Sequence, residues 1–204
     1  MTSILTGNII NSRFSEAELW KDSLKEILIG IGKNPKEWEI YRRDSFQVEI
    51  KDPKETLFRA IQIKAAIKCI KNVDVRLSIG IGEKNYDSDK IIESNGTAFI
   101  YSGEGLNAFK NQQTLSVHSG ILEFDYEINL LIKMSLIVMD NWTPAVAEYV
   151  TLNLSGKWVQ QQIANKLGIS QSSVSERHKR SYINEIHDVE KLYRNKIEAF
   201  SLDK

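Results

Sequence analysis

One stretch of the chain carries residue types at spacings suited to reading double-stranded DNA: Gln161-Gln162-Ile163-Ala164-Asn165-Lys166-Leu167-Gly168-Ile169-Ser170-Gln171-Ser172-Ser173-Val174-Ser175-Glu176-Arg177-His178-Lys179-Arg180. Ile163 and Leu167 are four apart and share the inner face of one helix. Ala164 is small enough for a second helix to approach closely. Gly168 supplies the left-handed turn that ends the first helix, Ile169 plugs the corner, and Ser170 caps the second helix. Val174 and His178 continue the buried side, so His178 is read as a packed histidine. The opposite side presents Gln171, Ser172, Ser173, Ser175, Arg177, Lys179 and Arg180. Short polar side chains near the start of such a helix suit base edges, and basic ones further along suit phosphates or guanine. Between Trp158 and Tyr182 and its immediate flank, Lys157, Lys166, Arg177, Lys179 and Arg180 face one acid, Glu176. That local excess supplies the electrostatic attraction DNA binding requires. The competing readings are an ordinary helical hairpin decorated with serines and a helix pair that binds another protein.

A second constellation lies near the N-terminus. Gly7-Asn8 follows a short apolar run, and Arg42-Arg43-Asp44 occupies the centre of what reads as a hairpin. Gly7, Asn8, Arg43 and Asp44 are candidates for holding a nucleotide or phosphate. The plainer alternative is a strand-to-loop turn at Gly7-Asn8 and a solvated hairpin tip. No residue is assigned a catalytic or metal-binding role. His118, His178 and His187 lack metal-ligand spacing, and no Cys-His, Ser-His-Asp or P-loop pattern occurs.

The elements that must position these groups follow from periodicity. Ser3 to Ile10 reads as a buried strand. Ser15, with Glu18 three residues on, caps a helix carrying Leu19, Leu24, Ile27, Leu28 and Ile31 that stops near Gly32 and Pro35. Trp38–Tyr41 and Phe46–Ile50 alternate about a polar centre, Arg42 to Ser45, which predicts a β-hairpin. Pro53 opens a second helix with a stripe of Leu57, Ala60, Ile61, Ala65 and Cys69. Its Lys64 and Lys68, with Lys71 beyond, are expected on a solvated face. Val73 to Ile81 predicts a strand, Gly96 to Lys110 a third helix, and Thr114 to His118 a last strand. After Ser119-Gly120 the pattern stays helical, with helices over Phe124 to Asp140 and from Thr143-Pro144 onward. Tyr182, Ile186, Val189, Tyr193, Ile197 and Phe200 recur at helical spacing. That stripe either folds onto its own chain or pairs with a second copy.

The order β-α-β-β-α-β-α-β predicts an α+β protein. A ferredoxin-like domain over residues 1–120 is followed by an all-α domain over 121–204 with the helix-turn-helix at about 158–182. In 204 residues, Lys plus Arg and Asp plus Glu are 27 each, so any nucleic-acid surface must be local. Hydrophobic content of 42% argues against disorder. The one cysteine, Cys69, excludes an internal disulfide. The most apolar window, Ile128 to Met139, contains Lys133 and is too short to span a bilayer, so it reads as a buried helix. The expected location is the cytoplasm, with no membrane partner.

Four short stretches, Thr6-Gly7-Asn8-Ile9-Ile10-Asn11-Ser12-Arg13, Arg43-Asp44-Ser45-Phe46-Gln47, Val75-Arg76-Leu77-Ser78-Ile79-Gly80-Ile81-Gly82 and Gly96-Thr97-Ala98-Phe99-Ile100-Tyr101-Ser102-Gly103, resemble the SatD family of bacterial proteins. The resemblance spans most of the chain, helix-turn-helix included. More remotely, the layout is similar to the palm-like domain of class III nucleotide cyclases and diguanylate cyclases, where a strand-end aspartate and a hairpin acid hold divalent metals against a nucleoside triphosphate. The resemblance implies that Asp44 matches the hairpin acid. Asn8 stands where the strand-end aspartate would be, and a neutral amide is a poorer ligand for hard Mg²⁺. Arg42-Arg43 replaces the glycine pair of the diguanylate cyclases. These readings together predict a homodimeric DNA-binding transcriptional regulator. Its cyclase-like domain is degenerate, senses a nucleotide or only scaffolds, and needs no cofactor. The alternative is a nucleotidyl cyclase or other phosphoryl-transfer enzyme with a DNA-binding tail.

Overall fold

In the computed structural model, which describes residues 1–13, 17–109 and 113–202, the first apolar run forms strand β1 (Thr2–Ile10) at the centre of one sheet. The expected hairpin is β2 (Trp38–Tyr41) and β3 (Ser45–Ile50), and two further strands are β4 (Asp74–Gly82) and β5 (Leu115–His118). The strand order is β2-β3-β1-β4-β5. All neighbours are antiparallel except β4 and β5. The chain is therefore α+β with a mixed five-stranded sheet.

The helices are α1 (Ala17–Ile31), α2 (Thr56–Lys68), α3 (Thr97–Asn107), α4 (Leu122–Met139), α5 (Pro144–Leu154), α6 (Gln160–Leu167), α7 (Gln171–Ser181) and α8 (Ile183–Leu202). The Ser15 cap expected for α1, and the Lys110 end expected for α3, lie outside the described residues. Pro53 opens a 3-10 turn, Pro53–Glu55, ahead of α2, and the Asp52 carboxylate accepts from the Lys54 amide there at 3.0 Å.

Apolar side chains of one sheet face, among them Leu5, Phe46, Val75, Leu77 and Val117, pack with Trp20, Leu24 and Leu28 of α1 and with Leu57, Ala60 and Ile61 of α2. The core then continues through α2 into α5 and on to Ile163, Val174 and Tyr193. The Tyr193 hydroxyl on α8 donates to the Pro53 carbonyl at 2.8 Å, tying the C-terminal helix to the start of α2. The stripe read at Ile186, Tyr193 and Ile197 is thus buried within its own chain. Tyr182 stands apart from it: at φ +50 it separates α7 from α8 and is exposed.

Two expectations are corrected by the packing. Lys64 is fully buried rather than solvated. Its ammonium lies 2.9 Å from Asp74 and 2.6 Å from Asp140, and donates to Thr114 at 3.1 Å. Lys68 joins the same cluster through Asp74 at 3.3 Å and the Asp140 carbonyl at 2.6 Å. An amphipathic-helix argument misses these lysines because their acids lie outside α2, Asp74 on the next strand and Asp140 at the distant end of α4. Second, the apolar window in α4 is only half buried. Phe124, Ile128, Ile132, Leu136 and Met139 face inward, but Leu130, Met134 and Ile137 lie on the surface.

Candidate nucleic-acid interface and sheet site

Helices α5, α6 and α7 pack together. Ile163 and Ala164 of α6 and Val174 of α7 are buried between them, with Ala147 and Val150 of α5 in the same cluster. At the start of α6 the Val159 amide donates to the Gln162 side-chain oxygen at 3.0 Å. Gly168, at φ +64, ends the helix in the left-handed region, where a side chain would be strained. Ser170 then takes an extended conformation, and its hydroxyl accepts from the Ser173 amide at 3.1 Å. Each local device expected between Ile163 and Val174 is present.

The side chains expected to face DNA divide into two groups. Gln171, Ser172, Ser173, Lys179 and Arg180 are exposed, and Ser175 is half-buried. Arg177 is not free. Its guanidinium donates to the Ala145 carbonyl at 2.9 Å and to Glu148 at 3.1 Å, leaving the side chain 21% exposed. It fastens α7 to α5, a role the spacing within α7 could not reveal. Lys179 lies 3.7 Å from Glu176 but remains largely exposed. Lys166 lies over the Trp158 ring at 5.1 Å, in reach of a cation–π contact. A groove between α7 and the start of α5 is lined by Thr143, Ser172, Ser175, Lys179 and Arg180.

His178 is packed. Its Nδ1 lies 2.9 Å from the Tyr149 hydroxyl, and the two rings meet edge to face. Burial pushes the Tyr149 phenol above its ordinary value, and a hydrogen bond with Gln160 opposes that. The Trp142 indole donates to the Ser181 carbonyl at 3.1 Å, so the end of α7 is anchored to the segment before α5.

Within the sheet half, strand pairing brings Asn8 and Asp44 together. The Asn8 amide donates to Asp44 at 3.3 Å and to the Ser45 hydroxyl at 3.1 Å, and Ser12 donates to the other Asp44 oxygen at 3.0 Å. Gly7 is buried, and a Cβ there would lie 2.3 Å from the Phe46 ring. Its missing side chain therefore admits Phe46 rather than opening a cradle for phosphate. Arg42 and Arg43 are exposed at the hairpin tip with φ +46 and +74, a left-handed pair that costs roughly 1–3 kcal/mol per residue.

Register adds groups that linear reading missed. Antiparallel partners point to the same face, so Tyr41, Ser45, Asn8 and Arg76 form one cross-strand row, and Glu39, Gln47, Thr6 and Ser78 the next. Gln47 donates to the Thr6 hydroxyl at 3.2 Å, and Thr6 meets Ser102 of α3 at 2.9 Å. Buried side-chain atoms of Arg76 (Nε) and Glu39 (Oε2) have no hydrogen-bond partner. Burial raises the Tyr41 phenol, against the opposing charge of Arg42. The signal for this face was the polar alternation Arg76, Ser78 inside an apolar strand.

Around Asn8 the donor set offers one carboxylate, Asp44, already accepting two hydrogen bonds, beside an amide and two hydroxyls, while Glu39 stands in the next cross-strand row. It does not fit a pair of hard divalent ions, which require carboxylates bracketing the reacting phosphate. Among the described residues no group of three or more His, Cys, Asp or Glu side chains is placed to hold a metal. No helix is long and apolar enough to cross a membrane, again among the described residues.

No curated protein matches the chain at a significant level. The family model described as the SatD family matches residues 3–201, nearly the whole length, and on that match the chain belongs to the SatD family.

Proposed function

We propose that this protein is a DNA-binding transcriptional regulator of the cytoplasm, with α7 as the helix that enters the major groove. The observation that carries the reading is the pairing of two features. The turn between α6 and α7 has a left-handed Gly168 and a capping Ser170, and Gln171, Ser172, Ser173, Lys179 and Arg180 stand exposed on the helix that follows. The partner is double-stranded DNA, approached by an electrostatic surface confined to residues 157–180 within a neutral chain. The test is retention of fragments of its own genome by the full chain across a salt series. Arg180→Ala should weaken binding by roughly 1–3 kcal/mol. Salt-independent or absent binding would favour a protein-binding helix pair.

The order β2-β3-β1-β4 in an antiparallel arrangement supports reading residues 1–120 as a ferredoxin-like, palm-like half, with the helices of 121–204 built on its core. The unpartnered Arg76 Nε beside the Asn8–Asp44 pair favours a phosphate-bearing ligand, a nucleotide, on the polar sheet face. Such a ligand would raise the melting temperature by mass action. Arg76→Ala should abolish that shift. Should no nucleotide at millimolar concentration produce one, the sheet half is a scaffold. Pyrophosphate release from a nucleoside triphosphate, lost in Asp44→Ala, would instead make the chain a nucleotidyl cyclase or related phosphoryl-transfer enzyme.

A further inference from the structure

Helix α4 is apolar on two opposite sides. Phe124, Ile128, Ile132, Leu136 and Met139 recur at intervals of four, four, four and three and are buried. Leu122, Tyr126, Leu130, Met134 and Ile137 recur at the same intervals on the other side, and their exposures are 85%, 73%, 50%, 61% and 63%. A helix that is hydrophobic all round is ordinarily enclosed by protein. Large side chains of this kind carry about 150–250 Å² each, so these five leave on the order of 600 Å² of contiguous surface in water. That reaches the upper end of the largest patch on a typical monomer, roughly 300–600 Å². It approaches the roughly 800 Å² that each partner contributes to a standard interface.

We propose that this stripe is the surface on which two copies of the chain pair, α4 against α4, antiparallel about a two-fold axis at Leu130. The ends of α4 select this arrangement. Glu123, Asp125 and Glu127 crowd the first turns, while Lys133 lies further along and makes no ion pair among the described residues. A parallel pair would stack the two acidic ends and their aligned dipoles against each other. The antiparallel pair separates them, and Glu127 keeps its ion pair with Lys196 of its own chain. The same arrangement sets Tyr126 level with Met134, a favourable ring–sulfur contact.

Shape points the same way. Beside the second half of α4 lies a depression lined by Gln113, Lys133, Leu136, Ile137, Asp140 and Asn141. Leu122, the most exposed apolar side chain of the stripe, lies about three turns before Lys133 and five before Asp140 at 3.6 residues per turn, hence along the same edge of the helix. An antiparallel two-fold opposes like edges and places Leu122 of each copy at the level of the other's depression. The contact is isologous and closes at two chains, leaving nothing to propagate. Pairing does not depend on the DNA-reading proposal. Where that proposal holds, pairing presents two reading helices to two half-sites.

Sedimentation velocity of the full chain at micromolar concentration tests the surface. The wild type should sediment as a dimer, and Leu130→Glu combined with Met134→Glu should halve the mass with an unchanged circular dichroism spectrum. Oxidative cross-linking in a Cys69→Ser background tests the geometry: Leu130→Cys should give covalent dimers and Leu122→Cys should not. A monomeric wild type, or a dimer indifferent to both glutamates, overturns the surface. Efficient Leu122→Cys cross-linking overturns the antiparallel arrangement. A charged variant that is monomeric yet still retains DNA weakly and salt-dependently keeps this outcome distinct from failure of the DNA-reading proposal.

Discussion

The Arg177 guanidinium on α7 donates to the Ala145 carbonyl on α5 at 2.9 Å and is held there by Glu148 at 3.1 Å. The arginine that a helical wheel would offer to DNA is therefore the fastening of that helix to its support. Arg180, one turn along, is exposed. The two arginines should separate cleanly on mutation. Arg177→Ala should destabilise the fold by about 1 kcal/mol, allowing for a partly exposed ion pair. Arg180→Ala should leave the melting temperature within error while reducing the salt slope of DNA binding by about one. Thermal melts and salt-titrated binding of both variants measure the difference.

The Asn8 amide is what the Asp44 carboxylate faces at 3.3 Å. Asn8→Asp puts two carboxylates at that separation, and like charges so close oppose each other's ionisation. The variant should be less stable than the wild type at neutral pH by roughly 1–3 kcal/mol, with the deficit shrinking as acid protonates one of the pair. Chemical denaturation at neutral and mildly acidic pH checks this. Equal stability at neutral pH would mean that Asp44 is not confined by Asn8.

Lys64 is enclosed between Asp74 and Asp140. Lys64→Met removes the buried cation and leaves both acids facing each other, with Lys68 compensating only the Asp74 side. Breaking a buried pair in this way costs about 3–5 kcal/mol. Pairing the change with Asp140→Asn should recover part of the loss, since neither mutation then strands a charge. Urea melts of the single and double variants give the coupling.

Asp87 is bonded by Lys36 at 2.8 Å and Lys84 at 2.5 Å. The hydrogen bonds from those two ammonium groups, Lys36 first, lower its carboxyl from 3.8 to about 2. A carboxyl depressed in the folded state binds fewer protons there than in the unfolded chain. Its stabilising effect is complete above 3.8 and is lost as the pH falls from there toward 2. Asp87→Asn should therefore flatten the pH dependence of the melting temperature in that acid window and leave its slope near neutrality unchanged. An identical acid slope would show that the two lysines do not hold this carboxylate in solution.

By itself the sequence determined whatever depends on neighbours a few residues away. The left-handed break at Gly168, the cap at Ser170, the proline-led starts before α2 and at α5, and the strand and helix periods are local events with local residue signals. The α6–α7 turn was legible for that reason, as were the candidate residues on its exposed side. The packed state of His178 was legible too, because its spacing from Val174 already placed it inward. Tertiary structure decided everything that required a partner distant in the chain. It turned Arg177 inward onto α5, buried Lys64 between acids from the start of β4 and the end of α4, and used the space at Gly7 for the Phe46 ring. Strand register, which no periodicity specifies across segments, aligned Arg76 with Asn8 and Glu39 with Gln47. The same holds for α4. Its two apolar stripes are plain in the sequence, but only packing shows which was covered by the chain and which was left for water or another surface.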